Sequence, residues 1–191
     1  MKRKPVKGVK PGKLRGTRVY LGGNIENCND AAAWRDRCTA VLGAVGVVCL
    51  NPLVDTFVGA LKEDPELNAK LRKLRNQGKL GQVAAIMKRV VQKDLRMVDI
   101  SDFLIFNLDA DRPTWGTTHE IVQAAAQRKP IFIVIDSRKK TPLWLLRYVP
   151  EQYIFETHEK LLNHLIRINN GTIPFADARW KILLESYRCN C

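Results

Sequence analysis

Two uninterrupted apolar runs constrain this chain most: DFLIFNL at 102–108 and PIFIVID at 130–136. Neither alternates apolar with polar residues, so each has to be covered on both faces. Each has the length of a strand, and a helix-length segment separates them. TRVYLG (17–22), VGVVCL (45–50) and QYIFET (152–157) read as three further strands. Helices are expected at about 31–43, 64–76 and 79–98, from the end of a loop at 109–116 to about Gln127, and at 142–147, 158–169 and 175–188. Leu67, Leu71 and Leu74, then Leu80, Val83, Ile86, Val90, Leu95 and Val98, recur at helical spacing. Buried strands alternating with helices make an α/β fold. The expectation is an open, doubly wound, mainly parallel five-stranded sheet with helices on both faces. Such sheets take ligands at the C-terminal edge of their strands.

The 191 residues are enough for one domain with a sizeable core. We divide the chain into a flexible basic arm (1–16), a domain at 17–173 with a helical insertion at 61–98, and a C-terminal helix and tail at 174–191. The net charge is +13, and eight of the first 18 residues are basic. A second basic cluster runs from Lys70 through Lys88, Arg89 and Lys93 to Arg96. A solvated helix face explains it, as does attraction to nucleic acid or anionic substrates. No aromatics interleave with these clusters, which argues against a single-strand stacking platform. No apolar run reaches the roughly 20 residues of a membrane span. The basic N-terminus lacks an apolar leader core, although MKRKPVK could serve as a nuclear localisation patch. Cys28, Cys38, Cys49, Cys189 and Cys191 are odd in number and carry no zinc spacing, so free thiols in a reducing cytoplasm are expected. His119, His158 and His164 have no ligand spacing either, and no metal site is expected.

The segment from Asp94 to Glu120 concentrates the candidate chemistry. Thr117-Thr118-His119-Glu120 fits a capping box, with Thr117 at the cap and Glu120 bonding back to it. The same turn, placed at a sheet edge, suits a carboxylate nucleophile: a helix N-terminus favours its ionised form, and Gly116 lets a sugar approach closely. Asp94 sits near the end of a long helix, where an acid opposes the macrodipole. It is either an exposed acid paired with a neighbouring cation or a functional group. Tyr20 beside Gly22-Gly23 is either a buried phenol with an ordinary partner or a group that orients Glu120. Gly22, Gly23, Asn24, Asn51, Thr114, Gly116 and Thr117 are the candidate substrate contacts.

These pieces resemble the nucleoside 2-deoxyribosyltransferases and the related nucleotide N-glycosidases. The matching residues are VYLGGNI (19–25), Trp34-Arg35, Asn51-Pro52, Asp94 with SDFLIFNLD (101–109), and WGTTHEIVQA (115–124) followed by KPIFIVID (129–136). They cover roughly 17–136 in order. The resemblance implies a flavodoxin- or Rossmann-like fold with Glu120 as nucleophile, Asp94 as the acid serving the base, and Tyr20 orienting Glu120. Thr114, six residues before Glu120, falls where relatives place a polar residue near the sugar or phosphate. It also implies no cofactor, with deoxynucleosides and free nucleobases as partners and a homo-oligomeric assembly that shares residues between subunits. Glu26 stands where the nucleotide-cleaving branch tends to have an arginine, which favours nucleosides. Two alternatives remain at this point: an N-glycosidase of the same fold, and a basic nucleic-acid-binding protein reusing the scaffold.

Overall fold

The structure is a computed structural model that describes residues 12–25, 31–54, 57, 61–112, 114–174 and 178–183. The two long apolar runs form adjacent central strands, β3 (Phe103–Leu108) and β4 (Ile131–Ile135). Phe103, Leu104, Ile105 and Phe106, and Ile131 to Ile135, are buried on both faces. On the other side of β3 lies β1 (Arg18–Gly23). β2 (Val48–Leu50) and β5 (Ile154–Phe155) form the two edges. The order is β2-β1-β3-β4-β5, and every pairing is parallel. Short edge strands leave little unpaired backbone for another chain to extend.

Helices α1 (Ala33–Ala44), α2 (Pro65–Asn76) and α3 (Leu80–Ile100) are followed by α4 (Trp115–Ala126), α5 (Leu145–Tyr148) and α6 (His158–Asn169). α1 packs with α6, and α3 with α4, so the sheet is covered on both faces as its apolar strands require. Chain direction across the sheet reverses between β1 and β3, and such a reversal opens a crevice at the C-terminal strand ends.

Helices α2 and α3 match the expected pair and break at Gly78, whose φ of +71° belongs to the left-handed region. Asp64 caps α2 by accepting from Leu67 N, and Pro65 follows at the first helical position. No residue of α2 is fully buried, whereas α3 buries Val90, Lys93, Met97 and Val98.

The chain ends differ from expectation. Residues 12–16, assigned to the arm, are packed: Leu14 is buried in the core and its N–H donates to Asn169 Oδ1 (3.2 Å). Leu14 gives that stretch one side chain worth burying, and Asn169 supplies its backbone partner. Residues 1–11 lie outside the described residues. The expected helix at 175–188 is described only in part, as a turn and a 3-10 helix at Lys181–Leu183 beside the buried Trp180. Among the described residues, no helix is long and apolar enough to cross a membrane.

Candidate active site

Tyr20, in the middle of β1, and Glu120, on α4, are 100 residues apart and meet at the mouth of the crevice. Tyr20 Oη donates to Glu120 Oε1 at 2.9 Å, and both side chains are buried. They line a cavity of about 450 Å³ together with Asp94, Glu63, His119 and the cap residues Thr114, Gly116 and Thr117. Leu67, Leu71, Met87 and Val90 of the α2–α3 pair supply its apolar wall. The size and mixed lining suit a small amphipathic ligand.

The start of α4 differs from the expected capping box. The cap is Thr114, which accepts from Thr117 N, so the helix begins at Trp115. Glu120 therefore lies in the second turn and bonds to Tyr20 rather than back to a cap residue. Thr117 instead accepts from Thr114 Oγ1 at 2.7 Å. The tertiary partner wins because a buried carboxylate gains more from a fixed phenol donor than from an exposed end turn. The expected electrostatics change as well. Burial pushes the Glu120 carboxyl up to about 7, against the lowering effects of the Tyr20 hydrogen bond, Arg35 and Lys93; Glu63 adds to the rise. The helix terminus does not keep it at an ordinary carboxylate value.

Asp94 is not an exposed acid: 13% of its side chain is exposed, and Lys93 Nζ lies 3.5 Å from its Oδ1. Burial, reinforced by the Glu63 charge, pushes it up to about 8, while Lys93 opposes the rise. Burial also raises the Tyr20 phenol well above its ordinary value, helped by the charges of Glu120 and Asp94. Burial thus favours the neutral form of all three groups, with the Tyr20 donor opposing it at Glu120 and Lys93 opposing it at Asp94.

The candidate contacts divide. Gly23, Thr114, Gly116 and Thr117 line the cavity. A Cβ on Gly116 meets nothing within 4 Å, so the backbone there is open to a ligand. Gly22 serves packing, since a Cβ would sit 2.2 Å from the Phe106 ring. Asn24 turns to the neighbouring loop and donates to Arg112 O at 2.8 Å. Asn51 does not line the cavity; it closes the turn after β2 by accepting from Leu53 N. Glu26 lies outside the described residues.

Three residues received no site role from the sequence. Glu63 lines the cavity, and Lys93, read as part of a solvated basic face, is only 6% exposed and turned inward. Arg35, fully buried, donates to the carbonyls of Leu21 (3.0 Å), Gly23 (3.1 Å) and Ala31 (2.5 Å), and so clamps the end of β1 beside Tyr20. The adjacency of Lys93 to Asp94 was the one signal available for the lysine. Nothing local marked Glu63.

Fold and site together define an open α/β protein whose switch-point crevice holds a buried carboxyl paired with a phenol. The chain belongs to the nucleoside 2-deoxyribosyltransferase family, whose sequence model matches residues 19–165. Among solved structures it resembles the 2-deoxyribosyltransferase of the psychrotolerant bacterium Bacillus psychrosaccharolyticus. The TM-score is 0.52 at 14% identity, over 76% of this chain and 90% of that one, a likeness of fold. No curated protein matches the chain.

Proposed function

We propose that this chain exchanges the base of a 2′-deoxynucleoside through a covalent deoxyribosyl-glutamate intermediate. The observation that carries the reading is the 2.9 Å hydrogen bond from Tyr20 to Glu120 inside a cavity that Asp94 also lines. The phenol leaves one Glu120 oxygen engaged and fixes the direction of the other. A Glu120 oxygen bonds to C1′ as the C1′–N bond breaks, through an oxocarbenium-like transition state. The bonding electrons leave with the base, and the Asp94 proton neutralises it. A second base then attacks C1′, releases the Glu120 carboxylate and returns a proton to Asp94. Two displacements at one carbon retain its configuration.

The required protonation states are opposite: Glu120 has to be ionised and Asp94 protonated. Burial raises both carboxyls, while the Tyr20 donor favours the ionised form of Glu120 and the Glu63 charge favours the protonated form of Asp94. Three carboxyls on one cavity, Glu63, Asp94 and Glu120, disfavour a phosphate and support nucleosides over nucleotides.

The test is chromatography of deoxyadenosine, deoxycytidine, thymidine and deoxyuridine, each with and without a free acceptor base. Wild type is expected to make a new nucleoside, and Glu120→Ala to lose roughly 10³-fold or more of that rate. Free sugar in place of a new nucleoside, with the acceptor present, indicates the hydrolase. Full turnover by Glu120→Ala rejects the mechanism.

A further inference from the structure

Lys93 is an unusual ammonium. It projects from α3 into the protein and is nearly fully buried, although most lysines keep the charged end in water. Its Nζ donates to Pro52 O (3.0 Å), Leu61 O (3.1 Å) and Glu63 Oε1 (2.7 Å). An ammonium has three donors, and these acceptors use all of them. Asp94, the next residue, is consequently left with a 3.5 Å charge contact to the ammonium: its Oδ1 is buried and accepts no hydrogen bond among the described residues, and the carboxyl hydrogen-bonds to Glu63 instead.

We propose that Glu63 and Lys93 are positioning residues of opposite sense: the lysine ties Pro52 and Leu61 to α3 and seats Glu63 beside Asp94, and Glu63 keeps the proton of the site on Asp94 against the lysine's own charge. This rests on the glycosidic-bond reading for its purpose, though not for its test. The groups that face Asp94 are Glu63 before α2, Lys93 on α3, Glu120 on α4 and Tyr20 on β1. Of these, Glu63 and Glu120 favour the protonated acid, and Lys93 opposes it. Were the three Lys93 donors not already engaged, the ammonium would bond Asp94 directly and favour its ionised form. The Pro52 and Leu61 carbonyls and Glu63 divert it. A lone Lys–Asp pair would yield an ionised acid with no proton to give; the added glutamate reverses that outcome.

The two partners push Asp94 in opposite directions, so their removal has opposite signs. The experiment is a carbon-13 NMR titration of the aspartate carboxyls from pH 5 to 10 in wild type, Glu63→Gln and Lys93→Met, with Asp94→Asn assigning the resonance. In Glu63→Gln the Asp94 midpoint is expected to fall by about one unit or more. In Lys93→Met it is expected to rise. The high-pH limb of the rate profile follows the midpoint in each variant. An Asp94 midpoint unchanged in Glu63→Gln overturns the proposal, and that variant decides alone if Lys93→Met does not fold. A merely structural clasp lowers the rate at every pH without moving the midpoint, which also overturns it. Absence of turnover by wild type on every nucleoside rejects the proposed function instead, and the titration still reads the pair.

Discussion

Removing one oxygen from Tyr20 tests how the site controls the carboxyl proposed as its nucleophile, Glu120. Tyr20→Phe keeps the ring and its edge contact with Phe106, at 6.0 Å between centroids, and deletes only the donor to Glu120. A hydrogen bond to a charged group is worth about 1.5–3 kcal/mol. At about 1.4 kcal/mol per unit, its loss should raise the Glu120 carboxyl by about 1–2 units. From its value of about 7, that moves the low-pH limb of the rate to roughly 8–9. At pH 7.5 a carboxyl titrating at 7 is roughly three-quarters ionised; one titrating at 8 is roughly one-quarter ionised, and at 9 about 3%. The rate at pH 7.5 should therefore fall roughly 3- to 25-fold from ionisation alone. Part of the loss should return as pH rises, until deprotonation of Asp94 cuts it off. The assay is single-turnover base release followed by chromatography from pH 5.5 to 9.5. A uniformly lower profile with its low-pH limb unmoved refutes the argument, because the phenol would then not act on the ionisation of Glu120.

Asp94→Asn should lower transfer roughly 10²- to 10⁴-fold and abolish the high-pH limb in the same assay. The fold should respond to pH through the same group. An unfolded aspartate titrates near about 3.9, and the folded one is held at about 8. The unfolded state thus ionises first, and stability attributable to Asp94 declines as pH rises from about 4 to about 8. Thermal melts at pH 5 and pH 9 should show a smaller decline in Asp94→Asn than in wild type. Gly23→Ala places a Cβ 2.4 Å from Asn107 O at a φ of +135° and should destabilise the fold by about 2 kcal/mol or more, read by denaturant unfolding. Gly116→Ala adds a Cβ in open space, so its melting temperature should stay near wild type while KM for the nucleoside rises. Arg35→Lys should not restore the clamp on Leu21, Ala31 and Gly23, since an ammonium lacks the guanidinium's planar fork; a melting temperature equal to wild type argues against that role.

How far the site was readable depended on the range of the interactions. The strands at 103–108 and 131–135 were legible because an unbroken apolar run admits few environments. The break between α2 and α3 was legible because glycine marks a backbone angle. The start of α4 was not, since two threonines three residues apart offer equally good caps and the choice between them is made by what surrounds the helix. Lys93 was misread for a related reason. In a run of lysines and arginines nothing local distinguishes the one that turns inward, and its acceptors, Pro52, Leu61 and Glu63, lie 30 to 41 residues away.

Residue type and local pattern by themselves determined that this chain buries parallel strands between helices, and that Tyr20 lies on a strand and Asp94 on a helix. Burial preference and backbone angle act within a few residues, so a linear pattern carries them. Tertiary structure decided that Tyr20 meets Glu120 across 100 residues, that Asp94 is largely shielded from solvent with its carboxyl pushed up rather than exposed at an ordinary value, and that Lys93 points inward. The physical reason is electrostatic. A carboxyl's proton affinity is set by the water it loses and the charges brought beside it, and neither exists until the fold assembles them.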